Sequence, residues 1–375
     1  MSRFVISCGG TGGHLSPGIS LAEGLAARGH DAVLCVSRKK VDERLLQKYP
    51  QFRFERMPGT GFAWRPADLA RFVISQAQAL GFCLRLLRAE RPAGIVGFGG
   101  FTSAPLVIAG RLLRVPVALH ESNRVPGRAI RTLGRFAHRV YLPPAISLAS
   151  VAGAATRHVG LPVRREITRQ PQAAARAALG LDPQQKLLVV LGGSQGSGAL
   201  NDWVRTQLPA LAAEGVQVYC VTGLGKGRDG ATVLQSKTGA PVRCEFVAFT
   251  DRVADLLSAA DLVLSRAGAG TLAELIRCGT PAILVPYPEA ADDHQRANAA
   301  YLDEQRAALA VDQKWLSVLH REVLGLIGDD ARLREFRTNL RRLDRDDALE
   351  TILRDLESLV GGARPPATAT APATG

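Results

Sequence analysis

The sequence predicts two α/β domains, each a doubly wound parallel sheet, which face each other across a cleft. Short apolar runs alternate with helical stretches along the chain, which is typical of parallel strands joined by crossover helices. A Pro/Gly-rich break at 160–163 interrupts this alternation, which then restarts. The length of 375 residues is sufficient for two domains, each with its own core.

The apolar runs locate the strands on either side of the break. In the first domain, 1–160, a helix is predicted at 15–28, and strands are predicted at 3–7, 32–36, 94–97, 115–120 and 139–142. In the second domain, 161–345, strands are predicted at 186–191, 216–221, 244–248, 262–264 and 282–286. The charged stretch 329–360 is predicted to be helical, and its last part, 346–361, is expected to pack back towards the first domain. The Pro-Ala-Thr tail, 362–375, is predicted to be disordered.

The composition excludes several classes of protein. Apolar residues make up 46% of the chain and charged residues 22%, which is typical of a globular protein and excludes a disordered one. No apolar run reaches the length of about 18 residues that a transmembrane helix needs. Glycine follows the first apolar run too early to leave room for a signal-peptide core, so we expect a cytoplasmic protein. The six cysteines form no CxxC pair, which argues against a zinc site or a disulfide framework.

The positive charge is concentrated in the first half of the chain. The formal net charge is +13, yet residues 1–160 alone hold 22 basic and 8 acidic side chains. Such asymmetry predicts a polyanionic partner, either a nucleic acid or an anionic membrane surface. An arginine-rich proteome selected for solubility is the alternative. Nucleic acid is disfavoured, because aromatic residues make up only 5% of the chain and no helix-turn-helix pattern is present.

A glycine-rich turn, GGTGGH at 9–14, follows the first predicted strand. Glycines between a strand and a helix let backbone N–H groups approach a phosphate or a sugar. The dinucleotide fingerprint is absent, because Leu15 occupies its third glycine position, and no Gly-Lys-Ser/Thr follows as in a P-loop. A nicotinamide dehydrogenase or a P-loop ATPase is therefore disfavoured. His14 begins the helix and is a candidate general base, although it could also simply cap or pack there.

Further polar or glycine-rich turns follow later strands. In the first domain these are GFGGFTSAP at 97–105 and HESN at 120–123, where Ser122 and Asn123 could instead serve as helix caps. In the second domain, GGSQGS at 192–197 carries the hydroxyl of Ser194, and RAGAGTLAE at 266–274 places Glu274 about one turn into a helix. A carboxylate there suits a ribose diol, or it satisfies the helix dipole.

One more loop, ADDHQRAN at 291–298, leads into a helix. His294 and Asn298 are four residues apart, so with Gln295 one helix face could offer hydrogen-bonding groups to a polyol. Asp292 and Asp293 lack a third carboxylate at a suitable spacing, so no metal site is predicted here.

The order of these turns closely resembles that of the MurG family of peptidoglycan glycosyltransferases. In this sequence the series reads GGTGGH, GFGGFTSAP, HESN, GLPVR, GGSQGS, RAGAGTLAE and ADDHQRAN, from about residue 3 to about residue 345. The resemblance implies the GT-B architecture, in which two Rossmann-like domains face each other across a cleft. It also implies inverting transfer of N-acetylglucosamine from UDP-GlcNAc to the C4 hydroxyl of undecaprenyl-linked N-acetylmuramyl-pentapeptide, which converts lipid I to lipid II.

The same resemblance implies that no metal or other cofactor is needed and that the protein lies peripherally on the cytoplasmic face of the bacterial inner membrane. Whether the protein also contacts other cell-wall synthesis proteins is left open by the resemblance. The alternatives are a GT-B glycosyltransferase that uses a UDP-sugar and another acceptor, or an epimerase of the same architecture, which fits the GGTGGH and HESN turns poorly.

The resemblance also implies roles for individual residues. In the second domain the backbone near Phe249 and Thr250 would read the uracil, and Glu274 would bind the ribose hydroxyls. The diphosphate would contact Arg164, Ser194, Ala269, Gly270 and Thr271. The GlcNAc hydroxyls would contact His294 and Gln295, and Asn123 would reach across from the first domain.

On the acceptor side, Thr11, Gly12 and Gly13 would face both sugars. His14 would be the base that takes the proton of the acceptor hydroxyl, with Glu121 as the reserve candidate. Three positions depart from the usual family pattern, where tyrosine, glutamine and asparagine are replaced by Phe101, Ser122 and Leu161. Phe101 lacks a phenolic hydroxyl, which leaves any acceptor contact there in question.

With lipid I as the acceptor, an anionic membrane surface becomes the expected polyanionic partner. Arginines at 124, 128, 131, 135 and 139 are spaced as on one helical face, without an acid between them. Apolar and aromatic residues at 62–65, 72–74 and 80–82 precede Arg85, Arg88 and Arg91. Basic surfaces with apolar residues bind anionic headgroups. The alternative is that these apolar residues belong to a helix core.

Overall fold

The described residues, 1–9, 12–37, 43–59, 66–193, 195–227, 229–344 and 347–361, form two seven-stranded sheets in this computed structural model. The strands of the first sheet are β1 (Arg3–Ser7), β2 (Asp31–Ser37), β3 (Arg53–Met57), β4 (Gly94–Gly97), β5 (Val117–His120), β6 (Arg139–Leu142) and β7 (Thr156–His158). They are all parallel and lie in the order β3-β2-β1-β4-β5-β6-β7. The helices between them are α1 (Gly12–Ala27), α2 (Glu43–Lys48), α3 (Pro66–Glu90), α4 (Ser103–Leu112) and α5 (Arg128–Leu133).

The second sheet repeats this arrangement. Its strands are β8 (Leu187–Leu191), β9 (Gln217–Val221), β10 (Gly230–Gln235), β11 (Pro241–Val247), β12 (Leu262–Ser265), β13 (Ala282–Leu284) and β14 (Leu309–Ala310), in the order β10-β11-β9-β8-β12-β13-β14. Its helices are α6 (Gln172–Leu179), α7 (Gly198–Ala213), α8 (Val253–Ala259), α9 (Ala269–Cys278), α10 (His294–Glu304), α11 (Leu319–Gly328) and α12 (Asp330–Leu343). The last helix, α13 (Ala348–Gly361), returns to the first sheet. Among the described helices, none has the length and apolar character needed to cross a bilayer.

The predicted α/β fold class is confirmed, and the strand order explains why the glycine-rich turns matter. The order reverses between β1 and β4 in the first sheet and between β8 and β12 in the second. At such a reversal the loops after the two neighbouring strands diverge and leave a crevice at the carboxyl edge, which is where doubly wound sheets bind ligands. The turns at 9–14, 97–105, 192–197 and 266–274 follow these four strands.

Four strands escaped the prediction from apolar runs, and each is the edge of a sheet. They are β3, β7, β10 and β14. An edge strand has only one neighbour and is partly exposed, so it lacks the continuous apolar run of an inner strand. Every residue of β10 is at least partly exposed. The expectation of purely parallel sheets is also wrong at this edge, because β10 pairs antiparallel with β11.

The inner strands are apolar throughout because helices cover both of their faces. In β1, Phe4 and Ile6 pack into the core beneath α1 and α13, whereas Val5 packs into the core beneath α3 and α4. All three side chains are fully buried. Successive side chains of a strand point to opposite faces, so a strand covered on both sides needs apolar residues at every position.

The helix α13 joins the end of the chain to the first sheet. Leu349 and Leu353 lie against Gly24 of α1, where a Cβ atom would come within 2.9 Å of either side chain. The carboxylate of Asp355 accepts hydrogen bonds from Arg139 Nε at 3.1 Å and from Tyr141 Oη at 2.9 Å. The predicted helical stretch 329–360 contains the two helices α12 and α13.

The arginine series at 124–139 does not form a helical stripe, so this part of the membrane prediction is wrong. The helix α5 has only six residues, Arg135 lies in a 3-10 turn, and Arg139 lies in β6. Arg139 pairs with Asp355 of α13. The spacing of these arginines along the sequence is helical, but it extends over a helix, a turn and a strand. Their side chains therefore point in different directions.

Candidate active site

His14 lies in the first turn of α1, at the strand-order reversal of the first sheet, and packs against the loop after β4. A Cβ atom on Gly100 would lie 3.4 Å from the His14 ring and 3.1 Å from the carbonyl oxygen of Gly9. Gly100 also has a φ of +72°, which other residues rarely adopt. The GFGGF turn thus needs glycine at position 100, where the backbone conformation and the nearby imidazole both disfavour a larger residue.

Burial determines the protonation state of His14. It lowers the pKa of His14 to about 4, with the Gly9 backbone opposing this shift and the His294 imidazole adding to it. Burial also lowers the pKa of His120, at the end of β5, to about 4. Both rings are therefore neutral near pH 7.

Glu121 follows β5 and holds the next loop in place. Its Oε1 accepts from the backbone N–H of Asn123 at 2.8 Å and from Asn123 Nδ2 at 3.3 Å, and its Oε2 accepts from the N–H of Gly127 at 2.7 Å. Burial raises the pKa of Glu121, and these donors oppose that rise. Because its carboxylate already accepts these hydrogen bonds from the loop, Glu121 is a weaker candidate for the base than His14.

Arg164 and Glu274, both predicted as donor contacts, lie together. The guanidinium donates to Glu274 Oε1 at 3.4 Å and to Glu166 Oε1 at 2.8 Å. Burial raises the pKa of Glu274, and Arg164 partly reverses that rise. Glu166 also accepts from Lys48 at 3.0 Å and from Tyr49 at 3.1 Å, both in the first domain. The GLPVR turn thus lies at the junction of the two sheets.

The N-terminus of α9 lies beside this cluster. Ala269, Gly270 and Thr271 form its first turn, and Gly268 precedes them without a side-chain cap. Apart from the helix's own backbone, no atom lies within 4 Å of a Cβ placed on Gly270, so this side of the first turn borders open space. Such a helix start is suited to a phosphate. Thr250, in the loop after β11, accepts from the Arg252 N–H at 3.0 Å.

The helix α10 carries the predicted sugar-binding residues at its start. His294 Nδ1 donates to the carbonyl of Ala291 at 2.7 Å, and Gln295 Oε1 accepts from the N–H of Tyr287 at 2.9 Å. The expectation that Asn298 shares their polyol-facing surface is wrong. Asn298 is only 2% exposed, and its amide binds Asn123 and the Arg124 N–H of the first domain and the Ala267 carbonyl of the second.

Arg266 is a functional candidate that the sequence reasoning passed over. It is 7% exposed, and its guanidinium donates to Ser197 Oγ and to the carbonyls of Val285 and Pro286 at 3.1–3.2 Å. It therefore ties the loops after β8, β12 and β13 together. The available signal was a charged residue directly after a buried apolar strand.

Some predicted residues lie outside the described parts of the chain. These are Thr11, Ser194, the segment 62–65 and the tail 362–375. Gly12 and Gly13 are in the first turn of α1, next to His14. Within the described ranges, no three His, Cys, Asp or Glu side chains are grouped as metal ligands.

Two sequence profiles of one family match the chain on either side of the Pro/Gly break. The glycosyltransferase family 28 N-terminal domain matches residues 4–142, and the glycosyltransferase family 28 C-terminal domain matches residues 187–351. The chain belongs to glycosyltransferase family 28. The resemblance predicted from the order of the turns is confirmed by a relative that is 61% identical over the full length of both chains.

Curated relatives in family 28 match over almost their entire length. A protein of Opitutus terrae is 61% identical over 377 residues and covers 100% of both chains. One of Parasynechococcus marenigrum is 35% identical over 96% of this chain and 100% of its own. Both are named UDP-N-acetylglucosamine--N-acetylmuramyl-(pentapeptide) pyrophosphoryl-undecaprenol N-acetylglucosamine transferase.

Solved structures share the GT-B fold expected of family 28. The crystal structure of Acinetobacter baumannii MurG aligns with a TM-score of 0.73 at 23% identity, over 96% of this chain and 100% of that chain. The calicheamicin glycosyltransferase CalG4 aligns with a TM-score of 0.68 at 16% identity, over 97% of this chain and 100% of that one. At these identities the comparison concerns the fold alone.

The first prediction for this family 28 enzyme is derived from the contact between Gly100 and His14. Gly100→Ala is expected to lower glycosyl-transfer kcat/KM by about tenfold or more, because the new methyl group presses on the Gly9 carbonyl oxygen and touches the imidazole, which shifts the turn that positions His14. Steady-state transfer kinetics measure the effect.

Gly29→Ala is the matched control, because Gly29 has a φ of +74° and no atom lies within 4 Å of its Cβ position. Both variants have the same backbone strain and should lose similar stability, about 1 kcal/mol. Equal losses of activity in the two variants would contradict the assigned contact.

Proposed function

We propose that the chain transfers N-acetylglucosamine from UDP-GlcNAc to the C4 hydroxyl of lipid-linked N-acetylmuramyl-pentapeptide, converting lipid I to lipid II. The observation that carries this proposal is the 61% identity, over the full length of both chains, to the Opitutus terrae transferase of that name. The geometry of the cleft supports it, because a helix N-terminus suited to a diphosphate lies opposite a neutral buried histidine.

In the proposed reaction the acceptor oxygen attacks the anomeric carbon of GlcNAc. The new O4–C1 bond forms as the bond between C1 and the diphosphate breaks, the acceptor proton passes to His14, and UDP leaves with the electron pair. Attack from the face opposite the leaving group inverts the anomeric centre. His14 is proposed as the base because it is neutral and lies at the carboxyl edge of the first sheet.

A pKa of about 4 makes free His14 a weak proton acceptor. Bound UDP-GlcNAc brings two phosphate charges into the cleft, and nearby negative charge favours the imidazolium. Donor binding is therefore proposed to raise the pKa of His14 and to prepare it for its role.

The departing diphosphate is proposed to be stabilised by Arg164 and by the first turn of α9, including Ala269, Gly270 and Thr271. The positive end of a helix and a fixed guanidinium supply the electrostatic stabilisation that a metal ion gives in other transferases. Glu274, paired with Arg164 in this structure, is proposed to exchange part of that contact for the ribose hydroxyls. Ser194 is proposed as a further diphosphate contact.

The sugar and base of the donor are assigned in the same way. His294 and Gln295, at the start of α10, are proposed to hold the GlcNAc hydroxyls, with Asn123 approaching from the first domain. The exposed ring of Phe249 and the backbone at Thr250 are proposed to contact the uracil. Thr11, Gly12 and Gly13 are proposed to face the acceptor.

The test is transfer of radiolabelled GlcNAc from UDP-GlcNAc to a short-chain lipid I analogue, with EDTA present. The proposal predicts transfer under these conditions and a fall in kcat of about 100-fold or more in His14→Ala, while the Kd for UDP-GlcNAc changes less than threefold. It also predicts that kcat/KM does not fall when the pH is lowered from 8 to 5, because His14 in the free enzyme has a pKa of about 4 and stays unprotonated in this range.

Three results would contradict different parts of this account. Donor binding without transfer would point to another acceptor, with Phe101 as the first position to examine. Equal losses of binding and turnover in His14→Ala would make His14 a binding residue. A tenfold fall in kcat/KM for each pH unit below about 6.5 would mean that an unperturbed histidine is the base.

We also propose that α3 and α4 rest on an anionic membrane at the cytoplasmic leaflet, where a lipid-linked acceptor would be found. These two helices pack together and expose large apolar side chains: Val73, Ile74, Ile108 and Leu112 are 43–64% exposed. The same two helices and the residues after α4 expose Arg85, Arg88, Arg111 and Arg114. Each basic side chain near such a surface contributes about 1 kcal/mol.

Co-sedimentation with vesicles tests this surface. The chain is expected to bind vesicles that contain phosphatidylglycerol at low salt and to be released at high salt, with little binding to phosphatidylcholine alone. Replacing Val73 and Ile74 together by Asp should weaken binding by about tenfold, because the two side chains would no longer insert.

The matched control replaces Val233 and Val318 by Asp, since both are exposed apolar residues of the second domain. Equal weakening by the two double variants, or binding that does not depend on lipid charge, would exclude α3 and α4 as the membrane surface.

A further inference from the structure

A buried amide, Asn298, joins the two domains across the cleft. Its Nδ2 donates to Asn123 Oδ1 at 3.1 Å and to the carbonyl of Ala267 at 3.0 Å, and its Oδ1 accepts from the N–H of Arg124 at 2.9 Å. Asn298 is 2% exposed, so these hydrogen bonds are shielded from water. Losing one of them would leave a buried polar group without a partner, which is costly.

On the first-domain side, the orientation of the Asn123 amide is set before it meets Asn298. Asn123 Nδ2 donates to Glu121 Oε1, which also accepts from the Asn123 N–H. The amide oxygen of Asn123 is therefore left to face the second domain. Glu121 thus acts on Asn298 through Asn123.

On the second-domain side, Asn298 reaches the loop that begins the diphosphate site. Ala267 lies between β12 and α9, and its carbonyl accepts from Asn298 directly. One side chain therefore connects the loop that carries Glu121 with the loop that leads into α9. The first of these loops belongs to the domain that contains His14, and the second belongs to the domain that would hold the donor.

We propose that Asn298 is a positioning residue that holds the two domains in the relative placement at which the base meets the anomeric carbon. This inference rests on the proposed function. Only a side chain with both a donor and an acceptor can make the three contacts, so asparagine meets a specific requirement here. Two further cross-domain contacts accompany it: the Arg124 guanidinium lies 4.1 Å from the centre of the Tyr301 ring, and Arg131 pairs with Asp292 at 2.8 Å.

The test compares Asn298→Asp and Asn298→Ala with the unaltered chain. Aspartate has nearly the same shape but places an oxygen against Asn123 Oδ1 and the Ala267 carbonyl, whereas alanine removes the contacts without adding a buried charge. Both variants are expected to lower kcat by about tenfold or more, with less than a threefold change in the Kd for UDP. Arg296→Ala is the control, because this residue of α10 is exposed and its ion pairs among the described residues are with Asp293 and Asp312 of its own domain.

A distance measurement separates positioning from a direct catalytic role. All six native cysteines are buried, so Ala89→Cys on α3 and Ala331→Cys on α12 offer an exposed pair for spin labels, one in each domain. Double electron–electron resonance with UDP bound should give a narrow distance distribution in the otherwise unaltered chain and a broader or displaced one in Asn298→Ala.

Each outcome decides the inference. Unchanged kcat in both folded variants overturns it, and so does a fall in kcat with an unchanged distance distribution, which would mean that Asn298 acts on the substrates themselves. If the unaltered chain transfers no GlcNAc, the proposed function fails, yet the distance distributions still show whether Asn298 sets the placement of the domains.

Discussion

All strands of a parallel sheet end at the same edge, and this constraint places the entire candidate site. His14, Gly100 and Glu121 follow three different strands of the first sheet, and Glu274 follows a strand of the second. These residues are far apart in the sequence, yet the sheets bring them to two edges that face one cleft. The glycines of the turns then decide how closely the backbone and the imidazole can approach.

The facing edges of the two sheets form one site only if the distance between them is fixed. The contacts between the domains differ in how strongly they fix this distance. The pair of Arg131 with Asp292 is 46% and 32% exposed, so water and salt weaken it to about 1 kcal/mol or less. The amide of Asn298 is much less accessible to water, because Asn298 is 2% exposed. We therefore assign the placement of the domains mainly to this shielded contact. The helix α13 ties the end of the chain back to the first sheet.

Much of this architecture could be predicted from the sequence, because inner strands need apolar side chains on both faces and leave continuous runs. The edge strands were missed because one neighbour and partial exposure impose no such pattern. The arginine series misled because helical spacing has meaning only within one helix, and α5 ends after six residues. The proximity of Arg164 to Glu274 and the cross-domain contacts of Asn298 depend on how the domains pack, for which a single sequence carries no local signal.

Amide hydrogen exchange with and without UDP-GlcNAc tests most directly whether the two edges form one site. We expect slower exchange in the second domain at 266–274, in the linker at 160–166, and also in the first-domain loop at 121–127. That last protection requires the donor to stabilise contacts across the cleft. Protection confined to the second domain, or located at the outer strand β10 instead, would contradict a single site shared by both sheets.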